Sequence, residues 1–250
     1  MILASQSPRR QSLLADAGFC FDVCVSHIDE TPYEGEPPEA LVQRLAQEKA
    51  FAVAQHLAHA ADIPSEKEVI PCNNVESTAP TSASHATQSA AHAATGGELI
   101  LAADTVVSLQ NVILGKPSSS QEAKHMLRTL CGTTHQVSTG VALVRADIVP
   151  HLIDSFVDTA HVSFFERDDA LIDAYVASND PLDKAGAYGI QDQIGRLLIK
   201  EIQGDFYTVM GLPIARVYRL LTAAGEQTQL TTYHVDEPSC SKAPQPHHAR

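Results

Sequence analysis

LILAADTVVSL, residues 99–109, is an apolar run of strand length with a carboxylate, Asp104, set in its middle. Its length and valine content favour a buried strand over a helix. A charged group inside such a strand is costly unless something compensates it. A cation, a metal ion or a shared proton would do so, and the alternative is a buried structural ion pair. Upstream, residues 37–60 have the period of an amphipathic helix, with Val42, Leu45, Val53 and Leu57 on one stripe. Lys49 falls in phase with that stripe, four positions from Leu45 and from Val53. Such a lysine either runs along the surface to water or reaches into a cleft.

Downstream of the central strand, Gly115-Lys116-Pro117 forms a tight loop that carries a cation. Residues 118–131 read as a helix that Gly132 ends, 136–144 and 152–165 as the strands of a hairpin, and 168–177 as a further helix. A strand over 197–202 and a closing helix over 213–223 follow. On the amino-terminal side, a short strand over 2–4 leads into a helix with Ser7 as N-cap, Pro8 at its first position and Gly18 past its end. Residues 19–25 then read as a strand. This alternation predicts an α/β domain with a mixed sheet.

Two segments differ in composition. Residues 62–97 are rich in Ser, Ala and Thr and contain no Leu, Phe or Tyr, so they read as a disordered surface insertion. Residues 226–250 read as a flexible tail, and His247 and His248 near its end as solvated side chains. The domain is therefore placed at residues 1–225. The 250-residue chain has 17 Lys and Arg against 30 Asp and Glu, a formal charge of −13. That balance argues against coating nucleic acid and against docking on an anionic membrane. No stretch approaches the ~18 apolar residues of a membrane span. The first ten residues lack signal-peptide character, so the expectation is a cytoplasmic protein. The five scattered cysteines predict neither a disulfide framework nor a zinc site, and Cys20 and Cys24 are expected to pack as small apolar groups.

Polar residues cluster at element ends. Ser5-Gln6-Ser7-Pro8-Arg9-Arg10 puts hydroxyls and two arginines at a helix N-terminus, where free N–H groups favour an anion. The arginines could instead pair with surface acids. Residues 183–191, DKAGAYGIQ, combine two glycines with Gln191, whose amide can meet a base edge. Together with the acid pair Asp29-Glu30, these features suggest a polyphosphate clamp. A P-loop and the spaced glycines of a dinucleotide fold are both absent.

These motifs resemble the Maf-like nucleotide pyrophosphatases. SQSPRR, EKA at 48–50, AADTVV at 102–107, LGKP at 114–117, the A-x-x-M-L…H-x-V pattern over 123–137, DKAGAYGIQ and GDFYTVMGLP at 204–213 occur in family order. The form of the 183–191 loop is similar to that of the subfamily acting on dTTP and UTP. The resemblance implies a long mixed β-sheet with flanking helices and a cleft between two lobes, and a homodimer. It implies hydrolysis of a nucleoside triphosphate to monophosphate and pyrophosphate with a divalent cation, Mg²⁺ or Mn²⁺, which clears unwanted nucleotides from the pool. By the same resemblance Asp104 is the general base, and Asp104 and Glu30 hold the metal. Arg9, Thr105 and Gln191 bear on substrate choice, Arg10, Lys49 and Lys116 handle phosphates, and Ser7 contributes a hydroxyl. Gln6 and Asp192 depart from the family, which commonly has glycine at both places. A nucleotide-sensing regulator of cell division with little catalysis is the alternative, and a phosphosugar- or phosphoprotein-binding module a third.

Overall fold

Side-chain alternation along one strand organises the molecule. The structure, a computed structural model, describes residues 1–60, 69–70 and 97–232. Its elements in chain order are β1 (Ile2–Leu3), α1 (Pro8–Asp16), β2 (Phe21–Val23), α2 (Pro38–Ala60), β3 (Val69–Ile70), β4 (Glu98–Leu109), β5 (Val112–Leu114), α3 (Ser120–Leu130) and β6 (Thr134–Ala146). They continue with β7 (His151–Phe164), α4 (Asp169–Ala177), β8 (Ile199–Gln203), α5 (Phe206–Met210) and α6 (Ile214–Ala223). The strands form one mixed sheet in the order β3-β2-β1-β4-β6-β7-β8, with β5 paired to β4. β1 runs parallel to β2 and β4, and the other pairings are antiparallel.

Within β4 the odd-numbered Leu99, Leu101 and Ala103 pack with Leu13 and Leu14 of α1 and Val217 and Leu221 of α6. The even-numbered Ile100 and Ala102 pack with Ala46, Ala50 and Val53 of α2 on the opposite face. A second lobe gathers Val107, Val137 and Phe164 around Leu127 of α3 and Ile172 of α4. α2 rests directly on the backbone of β6. A methyl group built on Gly140 would lie 2.2 Å from the carbonyl oxygen of Val42, so only glycine allows this approach.

Several features differ from the sequence reading. β2 is shorter than the strand expected over 19–25. Val69–Ile70, inside the segment read as disordered, pair with β2, while the rest of 62–96 lies outside the described residues. The tail does not begin at residue 226. Gln229–Thr232 form a 3₁₀ turn, the Thr228 hydroxyl donates to the Ala17 carbonyl at 2.8 Å, and the Gln229 N–H donates to Gly18 O at 2.9 Å. His247 and His248 lie outside the described residues. Cys20 is exposed and disulfide-bonded rather than packed as a thiol.

Candidate functional site

Between the two lobes lies a cleft of about 710 Å³. Ser7, Arg9, Arg10, Glu30, Lys49, Asp104, Thr105, Lys116 and Gln191 all line it. Alternation in β4 separates the two polar residues at its centre. Asp104 continues the even-numbered face toward α2 and Thr105 the odd-numbered face toward α1. Lys49, buried on the α2 stripe, therefore meets Asp104, Nζ to Oδ1, at 2.6 Å. The same Nζ lies 2.7 Å from Glu30 Oε1, in the connection between β2 and α2. Asp104 Oδ2 has no hydrogen-bond partner among the described residues.

Arg10 faces this group from α1. Its Nε donates to the Gly211 carbonyl at 2.8 Å, Nη1 to Ser5 Oγ at 3.3 Å and Nη2 to Thr105 Oγ1 at 2.9 Å. Thr105 and Thr139 are paired across β4 and β6, their hydroxyl oxygens 2.9 Å apart. Thr139 gives its one hydroxyl proton to the Thr208 carbonyl at 2.8 Å. Thr105 must then donate to Thr139 and accept from Arg10, which fixes every hydrogen in the series. Burial pulls the Arg10 guanidinium below its ordinary range, and the charge of Asp104 opposes that pull. The hydroxyl of Ser7 makes no capping bond at the start of α1, whose first turn contains no acid.

The other lobe supplies the far wall. β4 and β5 are joined by Gln110 and Asn111, both at positive φ, as a two-residue hairpin turn requires. β5 leads to the exposed Lys116, and Gly115 O accepts from the N–H of Gly186 at 3.0 Å. Lys184 is buried, 2.6 Å from Asp183 Oδ1 and 3.4 Å from Asp192 Oδ2. Beneath the loop, the Tyr188 hydroxyl lies 2.8 Å from Nε2 of the buried His135. Burial pushes His135 down to about 4. Tyr175 donates to Asp192 Oδ2 at 2.5 Å and accepts from the N–H of Gly189 at 2.9 Å. Burial and the bond to Asp192 hold that phenol above its ordinary range.

Sequence reasoning gave no part to Thr139, Tyr175, Tyr188 or the pairing of Lys184. Tyr188 and Lys184 stood in the quoted 183–191 loop, which was a usable signal. Thr139 and Tyr175 carried none, because their partners lie far away in the chain.

A mixed sheet crossed by a cleft with Arg9, Arg10, Lys49, Lys116 and Lys184 on its walls, in an acidic chain, defines an α/β protein built to hold a compact polyanion. Among the described residues, no helix is long and apolar enough to cross a membrane. Residues 1–224 match the family model for Maf-like protein. Proteins called dTTP/UTP pyrophosphatase from Bacillus cereus (strain AH820), Bacillus anthracis and Bacillus thuringiensis subsp. konkukian (strain 97-27) are each 40% identical over 221 residues. Each match covers 88% of this chain and 93% of the relative. The chain belongs to the Maf-like protein family.

Proposed function

We propose that this protein hydrolyses nucleoside triphosphates, dTTP and UTP foremost, to the monophosphate and pyrophosphate. The observation that carries the reading is Asp104, held by Lys49 through Oδ1 with Oδ2 unbonded among the described residues, in a cleft whose other walls bear Arg10 and Lys116. The shared name of the three relatives supports the same substrates. Water attacks the α-phosphorus, and Asp104 Oδ2 takes its proton. The bond from that phosphorus to the bridging oxygen breaks, and pyrophosphate leaves with the oxygen. Arg10, Lys49 and Lys116 offset the charge on the phosphates. Lys49 also holds the base in place, and the hydroxyl series behind Arg10 holds its fork. Gln191 meets the base edge, with Arg9, Thr105 and Ser7 completing the substrate contacts.

The donor set fits a divalent cation only with help. Among the described residues, no group of three or more His, Cys, Asp or Glu could hold a metal ion. Glu30 and Asp104, however, lie within 2.7 Å of one ammonium, and two carboxylates with phosphate oxygens and waters suit Mg²⁺ or Mn²⁺. When bound, such an ion adds positive charge at the phosphate oxygens. The reading is completed by a homodimer acting in the cytoplasm on free nucleotides.

The test is a panel of nucleoside triphosphates with Mg²⁺ or Mn²⁺, scored for monophosphate and pyrophosphate. Asp104→Asn is expected to lower turnover by about 10²–10⁴ with nucleotide binding retained. A variant keeping more than a tenth of wild-type turnover overturns the base assignment. Release of orthophosphate and diphosphate overturns the choice of bond.

A further inference from the structure

We propose that Asp192 is a positioning residue that locks the side-chain amide of Gln191 in the orientation matching uracil and thymine, and so turns the cleft against cytosine. The inference rests on the reading above that Gln191 meets the base. Shape alone does not orient a glutamine amide, because its two ends are nearly the same size; its partners do. An ionised carboxylate only accepts, so the Gln191 atom 3.2 Å from Asp192 Oδ1 is the donor Nε2. Among the described residues the amide oxygen and the second N–H have no partner and remain for a ligand.

The lock is itself held. Asp192 Oδ2 accepts from Tyr175 at 2.5 Å and faces Lys184 Nζ at 3.4 Å, and the side chain is only 10% exposed. Arg196 pins the backbone of both residues, donating from Nε to Asp192 O at 2.9 Å and from Nη2 to Gln191 O at 2.8 Å. A methyl group on Gly189 would stand 2.7 Å from Asp192 Oδ2, so the glycine leaves room for the carboxylate. Asp192 stands where the family resemblance leads one to expect glycine, and glycine has no side chain with which to hold an amide.

Uracil and thymine present a donor at N3 beside the acceptor O4. Cytosine presents an acceptor at N3 beside an amino donor. An amide free to turn by half a revolution suits either pattern, whereas a fixed one suits a single pattern and leaves polar groups unpaired against the other.

The experiment measures kcat/KM for UTP and CTP in wild type, Asp192→Asn, Asp192→Ala and Gln191→Ala. In Asp192→Asn, Tyr175 and Lys184 both call for an acceptor, so the new amide oxygen takes the Oδ2 place. Its NH₂ then faces Gln191 Nε2, two donors oppose each other, and the Gln191 amide turns over. The UTP-to-CTP ratio is expected to fall at least about tenfold, mainly through KM. Part of the change is an absolute gain for CTP, which a damaged loop cannot give. Asp192→Ala removes the lock without reversing it, and its ratio is expected between the two. A wild type indifferent between UTP and CTP, or Asp192 variants that lose both substrates in equal proportion, overturns the inference. If Gln191→Ala collapses the ratio while the Asp192 variants keep it, the lock fails and the base reading stands. If Gln191→Ala leaves the ratio untouched, the base reading itself fails.

Discussion

His135 occupies a place where an imidazole is stable only without charge. It is 1% exposed, with the rings of Phe164 and Tyr188 edge-on at 4.9 and 5.3 Å, and its Nδ1 has no partner among the described residues. Burial lowers its pKa to about 4, against ~6.5 in an unfolded chain. Between those values the unfolded chain binds more protons than the native protein, so stability falls as pH falls. The contribution is complete above about 6.5 and is lost on the way down to 4. Between pH 7.5 and 5 the loss from this residue is about 2 kcal/mol. Urea unfolding of wild type and His135→Phe at both pH values checks this. The substituted protein is expected to show the shallower dependence by about that amount, and parallel losses would mean that the native imidazole takes up its proton freely.

α2 works as a rigid bar laid across β4 and β6, and Gly140 is what lets it lie so close. Val42, whose carbonyl faces Gly140, and Lys49 are two turns apart on that helix, so lifting one end moves the lysine from Asp104. Gly140→Ala is expected to cost about 1–3 kcal/mol by overpacking and to lower kcat/KM together with the unfolding midpoint. An unchanged midpoint would show that α2 yields without strain. The long elements were legible for a simple reason: α2, α3, β4, β6 and β7 run for enough residues to display their period. β5, with three residues, and α5, with five, do not. The Thr228–Thr232 segment escaped notice because what folds it is contact with Ala17 and Gly18 rather than a pattern of its own. At the site the same division holds. Asp104 and Lys49 announce themselves as charges out of place on apolar stripes. Asp192 looked only like a departure at a turn, since Tyr175, the residue that anchors it, is recruited by the fold from 17 positions away.

At the scale of the molecule, a chain with a charge of −13 keeps a cationic interior to its cleft. A polyphosphate is repelled by the outside and attracted by the wall residues, and mobile ions screen both effects. The local attraction dominates once the ligand is seated. KM for UTP is therefore expected to rise several-fold between 50 and 500 mM KCl while kcat changes much less. Steady-state kinetics across that range decides the matter, and a KM indifferent to salt would remove the electrostatic account. The contact between Arg10 and Gly211, 201 positions apart, has a consequence for how the protein is made. The ribosome adds the carbonyl partner only 201 residues after the arginine. A chain that stops before residue 211 lacks this anchor for Arg10 and carries an unfinished pocket.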